Sequence, residues 1–306
     1  MNPELTLEKV KEMLINCPET ITDLEYLDRG GQKTVFKCKI NGDFFALKFC
    51  DVTNTDKNDS ILNTDDNSVK AESVTLSRAR REIEIMNKVD SPHLVKLGPI
   101  GLKLIEYNGR DILYFSEELI IGEDLFSILR SSELSFNQTI ELAIDMTKAI
   151  KQLSSINMVH RDIKPKNIMQ RKNGQYVLLD TGIAFDIQGE TLTAAFHLVG
   201  TKIYMSPEQL SGYRRELDFR SDLFLLGIVL YEAISGTHPF YKPGHQTHQI
   251  IANILSTNIV PLSQIVANMP KKLERIVMRL LAKEPHLRFK SCDQLIEQLE
   301  KVKEEL

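Results

Sequence analysis

His160-Arg161-Asp162-Ile163-Lys164-Pro165-Lys166-Asn167, followed by Asp180-Thr181-Gly182, sets two acids, a lysine and an amide within a few residues and one hairpin of each other. These groups suit the transfer of a metal-bound phosphoryl group to a hydroxyl. A hydroxyl is a poor nucleophile while protonated, so an acid must accept its proton; Asp162 is the candidate base. Lys164 is placed to meet charge developing on the phosphate. Asn167 and Asp180 are hard oxygen donors of the kind Mg²⁺ prefers. His160 and Arg161 read as residues that position the loop rather than react. A lone tripeptide of this type arises by chance in surface loops; an eight-residue run with a correctly spaced acid downstream is far more specific.

The chain around this stretch has 306 residues, enough for one large two-lobed unit or two small domains. Its net charge of −4 argues against nucleic acid as the main partner. Cys17, Cys38, Cys50 and Cys292 show no C-x-x-C spacing and read as thiols of a reducing cytoplasm, not disulfides or zinc ligands. Residues 1–20 lack the apolar core of a signal peptide. The longest apolar run, Leu223 to Tyr231, is too short to span a bilayer and reads as a helix buried in a domain centre. Membrane insertion is therefore not expected.

Along the chain, 3–16 reads as an amphipathic helix starting at Pro3. Strand-like runs follow at Leu24–Leu27, Val35–Ile40 and Phe44–Phe49, with Asn41-Gly42 as a hairpin turn. Residues 51–70 are polar and without period, and read as an insert. A helix is expected over 75–89, then strands near 100–106 and 112–119 around Asn108-Gly109. Beyond 122 the pattern is helical: 123–130, 136–156 after a cap at Ser135, 206–211, 221–235, 246–255, 270–282 and 291–304. Val177-Leu178-Leu179 reads as the strand that carries Asp180.

The His160–Asn167 stretch with Asp180 resembles the eukaryotic-type (Hanks-type) protein kinase family, and Lys164 points to its Ser/Thr branch. The match runs in order over roughly 24–300, and Gly30-Gly31-Gln32-Lys33 and the segment after 268 look like bacterial members. The resemblance implies an α+β, two-lobed fold: an N-terminal helical extension (1–22), a β-rich N-lobe with one regulatory helix (23–120) and a helical C-lobe (121–306). It implies ATP and Mg²⁺ as cofactors and proteins with Ser/Thr acceptors as substrates, with a regulatory protein partner conceivable. Lys48 in Ala46-Leu47-Lys48 would meet the α- and β-phosphates and pair with Glu82, chosen over Glu84 by its spacing to Pro92.

The family's glycine loop is reduced here to Asp28-Arg29-Gly30-Gly31-Gln32-Lys33-Thr34-Val35. Lys33 stands at the third glycine position, where it could reach phosphates or point to solvent. Backbone groups of Glu118 and Ile120 would read the adenine edge, and Asp124 would accept from the ribose. Glu117 falls where an apolar residue is commoner. Thr181 replaces an aromatic that in the family packs near the position of Met86. Thr201 would bridge Asp162 and Lys164, Glu208 would pair with Arg288, and Asp222 would brace the catalytic loop. Arg161 implies a phosphate on the 183–199 loop, for which Thr191 and Thr193 are the candidates. The second reading is a pseudokinase that binds nucleotide as a scaffold; a small-molecule phosphotransferase fits the Gly200–Glu208 segment poorly.

Overall fold

A computed structural model describes residues 5–30, 33–52, 74–180, 185–186, 203–211 and 217–306. The expectations for Gly31, the 51–70 insert beyond Val52, Thr181, Thr191, Thr193 and Thr201 lie outside these residues. The chain divides into two units, Met1–Asp90 with Val95–Ile120, and Ser91–Leu94 with Ile121–Leu306.

The first unit contains α1 (Leu7–Met13), β1 (Ile21–Gly30), β2 (Lys33–Ile40), β3 (Asp43–Asp51), α2 (Val74–Lys88), β4 (Lys103–Tyr107) and β5 (Arg110–Glu118). The strands form one antiparallel sheet in the order β1-β2-β3-β5-β4. Asn41-Gly42 and Asn108-Gly109 turn its two hairpins, and all four residues adopt positive φ, as such two-residue turns require. Helix α1 starts at a Thr6 cap, later than the expected Pro3, because the Thr6 side chain accepts from the Lys9 N–H.

Alternation along the strands gives the sheet two distinct faces. One face presents Phe36, Cys38, Ile40, Leu47, Phe49, Ile112 and Tyr114, which pack with Val10 and Met13 of α1 into one core. The other presents Lys33, Val35, Ala46, Lys48, Cys50, Leu113, Phe115 and Glu117, as the pairings Lys33↔Cys50, Val35↔Lys48, Lys48↔Phe115 and Ala46↔Glu117 require. Helix α2 lies against this second face: Ala79 packs with Cys50 and Leu113. Its buried residues Ala79, Glu82 and Met86 recur at helical spacing.

The second unit contains β6 (Gly122–Asp124), α3 (Leu125–Ser131), α4 (Phe136–Ser155), β7 (Met158–Val159), β8 (Ile168–Arg171), β9 (Tyr176–Leu178), β10 (Phe185–Asp186), α5 (Pro207–Leu210), α6 (Phe219–Ser235), α7 (Thr247–Ser256), α8 (Lys271–Leu280) and α9 (Cys292–Lys303). Ser135 caps α4 in a full capping box with Gln138. Helix α6 is apolar all round and buried along nearly its whole length, and Gly236 in the left-handed region ends it. Among the described residues no helix is long and apolar enough to cross a membrane.

Candidate active site

The second unit holds the catalytic stretch. Two short elements, β8 and β9, pair with Ile168 opposite Leu178. The ladder extends by a bond from Leu179 N–H to the Asn167 carbonyl, 2.8 Å. It therefore fixes Asn167 and Asp180 at the same end of one hairpin. Asp180 sits at φ 60° and Arg161 at φ 69°, both in the left-handed region that costs a non-glycine residue strain.

That strain is held by specific bonds. The Asp222 carboxylate, at the start of α6, accepts from the N–H of His160 (2.7 Å) and of Arg161 (2.8 Å). The Arg161 carbonyl accepts from Gln209 Nε2 at 3.0 Å. Burial pushes the Asp222 carboxyl up, against the pull of these donors and of His160 and Arg161. The brace role expected of Asp222 is thus carried out through backbone N–H groups. The sequence signals Gln209 only through the Ser206-x-x-Gln209 capping box.

His160 is buried and does not face solvent. Its Nδ1 accepts from Asp162 N–H at 3.3 Å, while its Nε2 lies 3.0 Å from the Leu179 carbonyl. The two ring nitrogens together tie the loop to the end of the hairpin. The Asp162 carboxylate receives Lys164 Nζ at 2.7 and 2.9 Å and Asn167 Nδ2 at 2.9 Å. Asn167 Nδ2 also donates to the Asp162 carbonyl at 2.9 Å. Both donations turn the NH₂ end of the amide toward Asp162, and Oδ1 takes no part in them.

Farther off, Arg288 is buried and bidentate to Glu208, at 2.6 and 2.9 Å. It also donates to the carbonyls of Arg220, Ala282 and Lys283. Burial alone would push the Glu208 carboxyl up, but its bonds to Arg288 and Ser221 and the Arg288 charge hold it below the usual range. Asp124, expected at a ribose, caps α3: its Oδ1 accepts from Ser127 N–H and its Oδ2 from the Ser127 hydroxyl. The Asp-x-x-Ser spacing ahead of a helix carried that signal.

The first unit holds the second set of residues. Val35, Ala46 and Lys48 share the α2-covered face. Gly30 ends β1 opposite Lys33. The N–H of Glu118 donates to the Lys96 carbonyl at 2.8 Å, and Ile120 is buried. The charge pairing departs from the expected one. Glu82 does face Lys48, at 3.7 Å, but Lys33 lies closer to it, at 2.7 Å. Lys48 is itself closer to Glu117, at 2.8 Å. Lys33 thus points to a buried carboxylate rather than out to solvent, and Glu117 has a polar contact in Lys48.

A protein kinase domain model matches residues 21–299 of the chain. The chain belongs to the protein kinase family. Bacterial kinases are among its relatives. It is 27% identical to a probable serine/threonine-protein kinase of Clostridium perfringens, over 92% of this chain and 38% of that protein. It is 30% identical to the probable serine/threonine-protein kinase PknB of Bifidobacterium longum, over 72% of this chain and 32% of that protein. The figures for the serine/threonine-protein kinase PknH of Mycobacterium tuberculosis are 30%, 71% and 33%. The chain spans about a third of the length of the curated relatives it matches.

Protein kinases use ATP with Mg²⁺, and the donors here suit that ion. Mg²⁺ keeps several waters and takes one or two protein oxygens together with phosphate oxygens. One amide oxygen and one carboxylate on one hairpin meet that need. Among the described residues no cluster of three His, Cys, Asp or Glu side chains forms a cage for a metal held by protein alone.

Proposed function

We propose that this chain is an ATP-dependent serine/threonine protein kinase, moving the γ-phosphoryl group of ATP to Ser or Thr hydroxyls of proteins and autophosphorylating. The observation that carries the reading is the Asp162 carboxylate, buried and held by Lys164 and Asn167. Asp162 orients the acceptor hydroxyl and takes its proton as the oxygen bonds to phosphorus. Lys164, already at Asp162, lies where it can meet the transferring phosphate's charge. Thr201 is assigned to this group as a positioning residue. Asn167 Oδ1 and Asp180 are the residues that hold Mg²⁺, which supplies charge neutralisation on the phosphates when bound. Lys48, Lys33, Glu82, Gly30, Gly31, Val35 and Ala46 are assigned to the nucleotide's phosphates and base, with backbone groups of Glu118 and Ile120 for the adenine edge. Asp124 is assigned to the ribose through lone pairs beyond those used in its cap.

The printed names of the relatives support this activity, since each is called a serine/threonine-protein kinase. A cytoplasmic setting is proposed for the folded units on the strength of four free cysteines, of which Cys38, Cys50 and Cys292 are buried. Protein substrates and a regulatory protein partner are proposed; nucleic acid is not. Autophosphorylation is assigned to Thr191 or Thr193, with Arg161 near the acceptor of that phosphate; a phosphopeptide map without either would contradict it. The test of the whole reading is transfer of labelled phosphate from Mg–ATP to the chain and to generic Ser/Thr proteins, beside Asp162→Asn. Transfer lost in the variant supports a kinase. Mg–ATP binding without transfer, to any acceptor, would instead support the pseudokinase reading.

A further inference from the structure

Among the departures from the family pattern in the first unit are Lys33 in place of a glycine and Glu117 in place of an apolar residue. In the fold they are partners in one arrangement. β2 brings Lys33, β3 brings Lys48 and β5 brings Glu117 to the same face of the sheet. Helix α2 brings Glu82 to that face. Both carboxylates are almost wholly buried, with side-chain exposures of 1% for Glu82 and 5% for Glu117. Each has its own lysine: Lys33 at 2.7 Å from Glu82, and Lys48 at 2.8 Å from Glu117. The cross distance, Lys48 to Glu82, is 3.7 Å, so the four groups form one cluster.

The two departures compensate each other in charge. A buried carboxylate or ammonium is tolerated only when paired. Lys33 adds a positive charge over Glu82, and Glu117 adds a negative one beside Lys48. The pairs also differ in exposure. Lys48 is sealed, with a side-chain exposure of 6%, whereas Lys33 retains 23%. Of the two ammonium groups, that of Lys33 is the better placed to meet an incoming anion without first being uncovered.

Resting on the kinase reading, we propose that Lys33 is the glutamate-braced lysine that anchors the phosphates of the nucleotide, and that Glu117 is the counter-ion that retains Lys48 beside it. Glu82 then positions Lys33 rather than Lys48 alone. The role is binding and positioning: no bond is made or broken at either lysine.

The test uses the full chain in five forms: unaltered, Lys33→Met, Lys33→Arg, Glu117→Gln, and Lys33→Met with Glu117→Gln. Two quantities are read on each: the Mg–ATP dissociation constant, from a fluorescent ATP analogue displaced by Mg–ATP, and the split of kcat from KM in phosphate transfer. Unfolding midpoints confirm that each variant is folded. Lys33→Met is expected to weaken Mg–ATP by about tenfold or more, the scale of one charge-assisted contact, with kcat less affected. Lys33→Arg restores most of the loss. Adding Glu117→Gln to Lys33→Met rebalances the charge and returns Lys48 to Glu82, recovering much of the affinity. An affinity for Lys33→Met within about twofold of the unaltered chain would overturn the proposal, as would a double variant no better than Lys33→Met. An unaltered chain that binds Mg–ATP but transfers nothing sinks the kinase reading while the affinity series still judges this one. A chain that binds no Mg–ATP sinks both.

Discussion

The catalytic loop and the α2-covered sheet face both hold charged groups out of water, but they hold them differently. In the loop, partners are largely backbone groups or side chains a few residues away: Asp222 takes two N–H groups, His160 links an N–H to a carbonyl, and Asn167 and Lys164 reach Asp162. On the sheet face, four side chains from four elements share charge over distances of 2.7 to 3.7 Å. A backbone partner cannot be exchanged, so the bonds of Asp222 and His160 allow one arrangement. Glu82 lies within reach of both lysines, so the sheet face has a second pairing available. On the proposed reading, the first fixes geometry for chemistry and the second tunes the hold on an anion.

This contrast can be broken most forcefully at Arg288. Its guanidinium is buried on Glu208, so Arg288→Met strands a buried carboxylate and should cost about 3–5 kcal/mol, read as a fall in the denaturant midpoint. Glu208 has a depressed pKa in the fold, so its stabilisation is present above the ordinary value of 4.5 and lost as pH falls through the lower folded value. Arg288→Met should therefore also flatten the acid limb of the stability profile below pH 4.5. A variant as stable as the parent would show that the second unit does not depend on this buried pair.

His238 offers the next largest effect. Burial lowers its pKa from 6.5 to about 4. Its Nδ1 accepts from the N–H groups of Phe240 (3.1 Å) and Tyr241 (3.0 Å), bonds that a proton on Nδ1 would end. A base with a depressed folded pKa stabilises the fold above its unfolded pKa, and that contribution is lost as pH falls through the folded one. Stability should decline between pH 6.5 and about 4 by roughly 2–3 kcal/mol, and His238→Gln should remove most of that slope. An unchanged slope in the variant would assign the decline to other groups.

The smallest effect is expected on the sheet face, and it sharpens the contrast. Glu117→Gln removes a close partner of Lys48, and Glu82 at 3.7 Å, already bonded to Lys33, compensates only in part. The loss of stability should be about 1–2 kcal/mol, below that of Arg288→Met. A loss of equal size would mean that the cluster does not share charge and that the two regions are held in the same way.

How much of this was legible follows from the same contrast. The loop motif, the Ser135 cap, the hairpin turns at Asn41-Gly42 and Asn108-Gly109, the Glu208–Arg288 pair and the Asp222 brace were read from local spacing or from the family pattern. The structure brings those partners together. The pattern marks only Leu24–Leu27 as strand, whereas β1 runs Ile21–Gly30, because two register irregularities, between Thr22 and Glu25 and between Tyr26 and Asp28, break the period-two pattern. The Lys33–Glu82 and Lys48–Glu117 pairs were not legible. They join residues far apart in sequence through strand register and the docking of α2, which no local pattern encodes. Asp124 carries two readings, a ribose contact from the family pattern and a cap from its position just ahead of α3; the cap is formed.

The central claim is that the loop does the chemistry and the sheet face holds the nucleotide. The most direct measurement compares kcat and KM for ATP in Asp162→Asn and Lys33→Met against the unaltered chain. Asp162→Asn should lower kcat by about 10²–10⁴-fold with Mg–ATP affinity near that of the parent. Lys33→Met should act chiefly on KM. A fully active Asp162→Asn, or a loss expressed only in nucleotide affinity, would contradict the account.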